Sequence, residues 1–222
     1  MKKPLLFFLS LIFLGFCSAS ALAQSPSFIS GRVLGYLSNR IGDYDGLRLR
    51  TGATEIHLFF PPHTAAKVRQ LAGVGQLVTV DVEPGHGRPE HPRAGFGHPA
   101  EAVGSVVLAY RLNQVRNVRS GALLQLWNLP PPPPQSGRLV QTEGRLVGDR
   151  HDENGQLVAL LTDKYLVELK PHQAEQISSL LEGVQRLGVA GYERTTDGFV
   201  NQTGLPVLHP TALTIRGQTF AL

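Results

Sequence analysis

The chain repeats itself, and that repeat limits its architecture more than any single motif does. Asp43 to Gly75, DYDGLRLRTGATEIHLFFPPHTAAKVRQLAGVG, has a weaker copy from Glu153 to Gly183, ENGQLVALLTDKYLVELKPHQAEQISSLLEG. Gly155 stands where Gly46 stands, and Pro171-His172 where Pro62-His63 stands. Ala174, Ile177 and Leu180 take the places of Ala65, Val68 and Leu71, all at one constant offset. Upstream, GRVLGYL from Gly31 pairs with GRLVGDR from Gly144; downstream, GQLVTVDVE from Gly75 pairs loosely with QRLGVAGYE from Gln185. A repeat of this length is a duplicated domain, not a short-period solenoid.

Within the first copy, Asp45-Gly46 is a turn pair, because glycine reaches positive φ without a Cβ clash. Leu47 to Arg50 alternates apolar and basic, the period of a half-buried strand. Thr51-Gly52 signals the next turn. Ile56, Leu58 and Phe60 then share one face, with Glu55, His57 and Phe59 on the other. Pro61-Pro62 ends the ladder, since proline has no N–H to donate. Ala65, Val68, Leu71 and Ala72 recur at helical spacing over His63 to Leu71, and Gly73 and Gly75 stop the helix. Phe28 to Leu37 reads as a preceding strand whose Gly31 and Gly35 mark bends. Gln76 to Val82, Val103 to Leu112, Val115 to Val118 and Thr211 to Phe220 carry further β character. Trp127 is expected as a core residue at the end of the first domain.

Lys2 and Lys3, the apolar run Leu5 to Phe16, and Ala21-Leu22-Ala23 before Gln24 form the pattern of a cleaved signal peptide. A retained membrane anchor is the alternative, but the run falls short of the ~20 apolar residues a bilayer needs. Lipidation of Cys17 is a lesser one, since bulky Phe16 precedes it. Cys17 is the only cysteine, so the mature chain has no disulfide and no thiolate nucleophile. Five prolines, Pro130 to Pro134, sit at the repeat junction and read as a semi-rigid spacer. The expected organisation is a signal peptide over 1-23, a first domain over 24-129, a Pro-rich linker over 130-137 and a second domain over 138-222.

Net charge is +4, too small to imply nucleic acid by itself. Its distribution is uneven. Residues 24 to 130 carry eleven Lys and Arg against seven acids, and residues 131 to 222 carry eight against ten. An anion-seeking surface therefore belongs on the first copy.

Strand, hairpin, helix and further strands is the order of the OB-fold, a five-stranded barrel. Each half resembles the bacterial OB-fold family of small periplasmic stress-associated proteins. It also looks like uncharacterised bacterial modules with an Asp-Gly hairpin and a Phe-Pro-Pro-His run, here Asp45-Gly46 and Phe60 to His63. The resemblance implies a mainly β chain of two tandem five-stranded OB-like barrels, each with one short helix between strands 3 and 4. It also implies binding modules without established active-site residues.

Three groups of residues could carry chemistry. His86, His91 and His98, with Glu90, form a histidine-rich tract of the kind that collects Zn, Ni or Cu. Their spacing fits no helical zinc motif, and a solvated polar loop is the plainer reading. Arg48, Arg50, Glu55, His57 and Phe59 lie on the outward face of the first hairpin, where OB-folds bind oligonucleotides or sugars. Two arginines could hold an anionic backbone while Phe59 stacks on a base. An ordinary solubilised strand face is the alternative, and the second copy has Leu157 and Ala159 in place of the arginines. His63 and His172 read as structural helix-entry residues. Asp43 and Asp45, like Asp152 and Glu153, read as solvated turn acids; with Asn39 the first pair faintly matches a calcium loop, but the full ligand set is missing.

No nucleophile elbow, HExxH, phosphate-binding loop or dinucleotide fingerprint occurs. The expectation is therefore a non-enzymatic, periplasmic or secreted binding or envelope-interaction module with no cofactor. Its partner would be an envelope protein, a glycan or a small ligand, and export argues against nucleic acid. Metal binding through the tract at 85–98 and polyanion binding at Arg48 and Arg50 are the alternatives.

Overall fold

The structure is a computed structural model and describes residues 27–84, 107–131 and 137–222. The expected signal peptide over 1-23, the histidine tract and most of the expected proline spacer lie outside these residues.

Two closed five-stranded barrels follow one another. In the first, β1 (Ser27–Ser38), β2 (Tyr44–Thr51), β3 (Thr54–Phe59), β4 (Leu77–Pro84) and β5 (Leu108–Asn117) pair in the order β3-β2-β1-β4-β5. A parallel β3–β5 pairing closes the ring. The helix α1 (Ala65–Leu71) lies between β3 and β4, and the short β6 (Leu123–Gln125) adds to the edge of β5. The second barrel repeats this with β7 (Leu139–His151), β8 (Leu157–Thr162), β9 (Leu166–Glu168), α2 (Pro171–Ile177), β10 (Arg186–Glu193) and β11 (Val207–Ile215). Its ring is closed by parallel β9–β11 pairing, and β12 (Gln218–Ala221) extends it. Each barrel thus has its one α-helix between its third and fourth strands, as expected.

The duplication extends to irregularities. The long first strand of each barrel shifts register at matching points, between Val33 and Gly35 in β1 and between Leu146 and Gly148 in β7. An extra residue in one strand bends it and raises its twist, which a small barrel needs in order to close. Gly31 is needed at a close backbone approach, since a Cβ there would stand 2.5 Å from the Arg50 carbonyl oxygen.

Inward residues alternate as their sequence predicts. Leu47, Leu49, Ile56, Leu58, Val68, Val78, Val80, Leu112 and Val115 fill the first barrel, and Leu160, Val167, Ile177, Leu187, Val189, Leu208 and Leu213 the second. A third cluster lies between the barrels: Ile41 of the first against Ala159, Leu166 and Val207 of the second, with Leu205 packed on it.

Several expectations are corrected. Asp45-Gly46 is not a turn but lies within β2, where Gly46 pairs with Phe59. The β1–β2 turn comes earlier, at Asn39 to Gly42, with φ +89 at Gly42. The α-helix starts at Ala65, two residues after His63, because Pro62–Thr64 forms a 3-10 turn before it. Asp43 and Asp45 are not solvated but buried, at 1% and 8% exposure. Trp127 is not core: it stands 56% exposed on the 3-10 turn after β6. The β character read over Val115 to Val118 belongs to β5, which runs unbroken from Leu108 to Asn117.

Candidate ligand groove at the barrel junction

The β1–β2 turn of the first barrel reaches into the long β10–β11 loop of the second. Backbone bonds join them: Gln202 N–H donates to Gly42 O at 2.8 Å, Tyr44 N–H to Val200 O at 2.9 Å, and Ala66 N–H at the start of α1 to Gly198 O at 3.0 Å. Asp43 sits at the centre. Its carboxylate accepts two bonds from Arg194, at 2.7 and 2.9 Å, and one from the Asn201 side chain at 2.9 Å. Asn201 also donates to Ile41 O at 3.0 Å, and Asn39 Oδ1 accepts from the backbone N–H of Asp43. Two parallel N–H···O bonds match the fork of guanidinium to the fork of carboxylate, the strong form of this pair. The Arg194 guanidinium also lies 4.1 Å from the Phe199 ring centroid, and that ring lies 6.3 Å from His63. His63 is thus a residue of the seam between barrels, while its counterpart His172 is exposed on α2.

Electrostatics at the seam follow from burial. Arg150 packs against Gly42; desolvation pulls its guanidinium below its usual range, and Asp43 offsets part of that. His209 on β11 has its Nε2 buried without a hydrogen-bond partner and its Nδ1 3.6 Å from Glu168. Burial, chiefly, holds its imidazole below the ordinary value; Glu168 works against this, and Arg194 and Lys170 reinforce it.

Beside the seam opens a groove of about 480 Å³ lined by Tyr36, Tyr44, Ala66, Arg69, Gln70, Gly73, Val74 and Gln202. The two tyrosine rings are tilted against each other with centroids 5.3 Å apart. Arg69, on the exposed face of α1, places its guanidinium 5.0 Å from the Tyr44 centroid and 5.5 Å from that of Tyr36. A cation over an aromatic face is held by the ring quadrupole, which fixes a side chain otherwise free to wander. Tyr36 Oη donates to Ala72 O at 2.5 Å. Burial pushes its pKa up to about 12, against the pull of Arg69, so it stays a proton donor across the working range. Gln202 belongs to the second barrel, so both barrels build this groove.

The residues singled out from sequence lie elsewhere. On the outer face of the β2–β3 hairpin, Arg48 is opposite His57, and Arg50 opposite Glu55. Glu55 forms an ion pair with Arg48 at 3.3 Å and a hydrogen bond with His57 at 3.2 Å, while Arg50 is exposed and Phe59 half-buried. The structure therefore brings Arg48, Glu55 and His57 together as a small polar cluster around one carboxylate. His86, His91 and His98 lie outside the described residues. Among the described residues no group of three or more His, Cys, Asp or Glu could hold a metal ion, and no helix is long and apolar enough to cross a membrane.

Sequence reasoning missed Tyr36, Tyr44, Arg69 and Gln202 as a set. Arg69 falls on the polar face of a periodic helix, and Gln202 is contributed by the other barrel, so no local pattern joins them.

No family model matches the chain, and no curated protein does. Two solved structures align with it along most of its length at a TM-score of 0.25 and 8% identity. One is the HINa domain of Ifi202 in complex with 20-bp double-stranded DNA, covering 89% of this chain and 95% of that one. The other, described as "Structural mimicry for functional antagonism", covers 91% and 98%. Neither likeness bears on what this chain binds.

Proposed function

We propose that this protein is an exported, non-catalytic binding module of the bacterial envelope, in which two OB-like barrels act as one body and take a ligand at their junction. The observation that carries this reading is the groove itself. Arg69 lies over the tilted Tyr36–Tyr44 pair on the first barrel, and the second barrel supplies Gln202 to the groove wall. Concave sites with aromatic lining and a few placed polar groups, set between domains, are where small ligands bind. The leader at 1-23 supports export, and the lack of any nucleophile–base arrangement in the sequence supports binding without turnover. The resemblance to the periplasmic bacterial OB-fold family belongs to the same reading.

The test uses the chain from Gln24 onward, immobilised and exposed to solubilised envelope, with retained molecules identified by mass. The expected result is an envelope component that is released unchanged in mass and is lost when Tyr44→Ala and Arg69→Ala are combined. Retention that ignores those substitutions, or a component recovered chemically altered, overturns the reading.

A second reading, polyanion binding on the outer β2–β3 face, is supported by charge count there: Arg48 and Arg50 face a single carboxylate, Glu55. Binding of a single-stranded oligonucleotide that weakens steeply with added salt, through counterion release, and that fails in the Arg48→Ala, Arg50→Ala pair supports it. Salt-insensitive binding eliminates it.

A further inference from the structure

We infer that the junction groove is built for a hydroxylated carboxylate of about sugar size, an acidic saccharide unit whose carboxylate is held by Arg69. The inference rests on the groove being the ligand site and adds the class of ligand.

The lining has one cation and no acid. Arg69 is the single charged side chain among Tyr36, Tyr44, Ala66, Gln70, Gly73, Val74 and Gln202. Arg69 makes no ion pair among the described residues; its contacts there are the two tyrosine rings. No hydrogen bond among the described residues takes up the N–H donors of this guanidinium. Those donors match a carboxylate bidentately. A single guanidinium balances a monoanion and leaves a phosphate dianion half neutralised.

The remaining polar groups suit hydroxyls. Gln70 and Gln202 each carry both amide donors and a carbonyl acceptor, and the Tyr44 phenol can do either. Ala66 and the exposed Val74 offer apolar contact for the C–H face of a ring. A volume of about 480 Å³ lies in the range that holds small organic ligands. A bare inorganic anion would leave the two amides and the apolar wall unused. A neutral sugar would leave the guanidinium without a partner.

The test is titration of the chain from Gln24 onward with D-glucuronate, D-glucose and inorganic phosphate, read by calorimetry and by amide chemical shifts. Glucuronate is expected to saturate, with shifts at Arg69, Tyr44 and Gln202, and to bind more tightly than either other probe. Arg69→Gln should weaken it about tenfold or more, the loss of a charge-assisted pair. Arg69→Lys, which keeps charge without the fork, should restore only part. Arg69 is exposed, so both variants are expected to fold, and unchanged near-ultraviolet dichroism checks this. Equal binding of glucose or phosphate, or glucuronate binding that survives Arg69→Gln, overturns the inference. If no probe binds while an envelope component still depends on Tyr44 and Arg69, the acidic-saccharide class falls and the groove stands as the ligand site. If neither binds, both fall.

Discussion

Asp43 decides how the two halves relate, and it does so as a buried charge. At 1% exposure its carboxylate has lost water, and Arg194, at 8%, is nearly as dry. Removing one partner of such a pair leaves the other charge unmatched, at a cost of about 3–5 kcal/mol. Asp43→Asn should therefore lower the urea midpoint strongly with little change in m-value. The pair itself need not add net stability, because apolar replacements of buried ion pairs are often neutral. The double change Asp43→Leu, Arg194→Met should accordingly cost less than the two single changes combined, which a double-mutant cycle measures. In the sequence Asp43 looked like a solvated turn acid because Asp between Gly42 and Tyr44 is ordinary turn composition. Its partner lies 151 residues away, and nothing local marks the pairing. His209 makes a second prediction at this scale. Burial holds its folded-state pKa below 6.5, so the unfolded chain takes up a proton first as pH falls. Its contribution to stability is present above about pH 6.5 and is lost as pH drops toward the lower folded value. The wild-type urea midpoint should fall through this window more than that of His209→Gln; parallel pH profiles would remove His209 as the cause.

The strands show where periodicity is informative and where it fails. β2 and β3 alternate cleanly because one face meets the first core and the other meets solvent, and the inward set Leu47, Leu49, Ile56 and Leu58 could be read directly. β8 gave no readable phase, since LVALLT is almost wholly apolar. The structure supplies the reason: Leu160 points into the second barrel while Ala159 packs against Ile41 of the first. A strand buried on both faces loses its alternation. The same double burial divides Leu166 from Val167 on β9 and Val207 from Leu208 on β11. The seam was thus written in the sequence as missing polarity, which by itself does not say what covers the second face. The loop from Arg194 to Pro206 has a further constraint at Gly198, where φ is +79 and a Cβ would overlap the His63 carbonyl. Gly198→Ala should lift this loop from the first barrel. Hydrogen exchange is the readout: the Ala66 amide, which donates to Gly198 O, should exchange faster while the β4 amides keep their protection. Unchanged protection at Ala66 would show that the loop tolerates the methyl group.

For the molecule as a whole, the junction changes what the proline run can mean. A spacer between independent domains allows relative motion by default, unless the interface is substantial and apolar. Here the interface combines a buried ion pair, inter-barrel backbone bonds and the Ile41 cluster. The two barrels should therefore unfold together in one calorimetric transition. Arg194→Ala, which strands Asp43, should separate this into two. A single transition in both proteins, displaced but unsplit, would mean that the remaining contacts suffice for cooperativity. The duplicated barrels were readable because glycines, prolines and helix positions recur at fixed offsets. Their arrangement was not, since it depends on contacts between copies that no longer match: Arg48 and Arg50 sit on a solvent face, while their counterparts by position, Leu157 and Ala159, are buried.

The Asp43 turn clasped by the second barrel's loop also bears on how such a gene can change. Cut apart, one half would bare Ile41 and a lone carboxylate, the other a greasy wall around an orphan guanidinium. Neither piece could be lost or shuffled into another protein without first being resurfaced, so what began as two copies has become a single heritable unit.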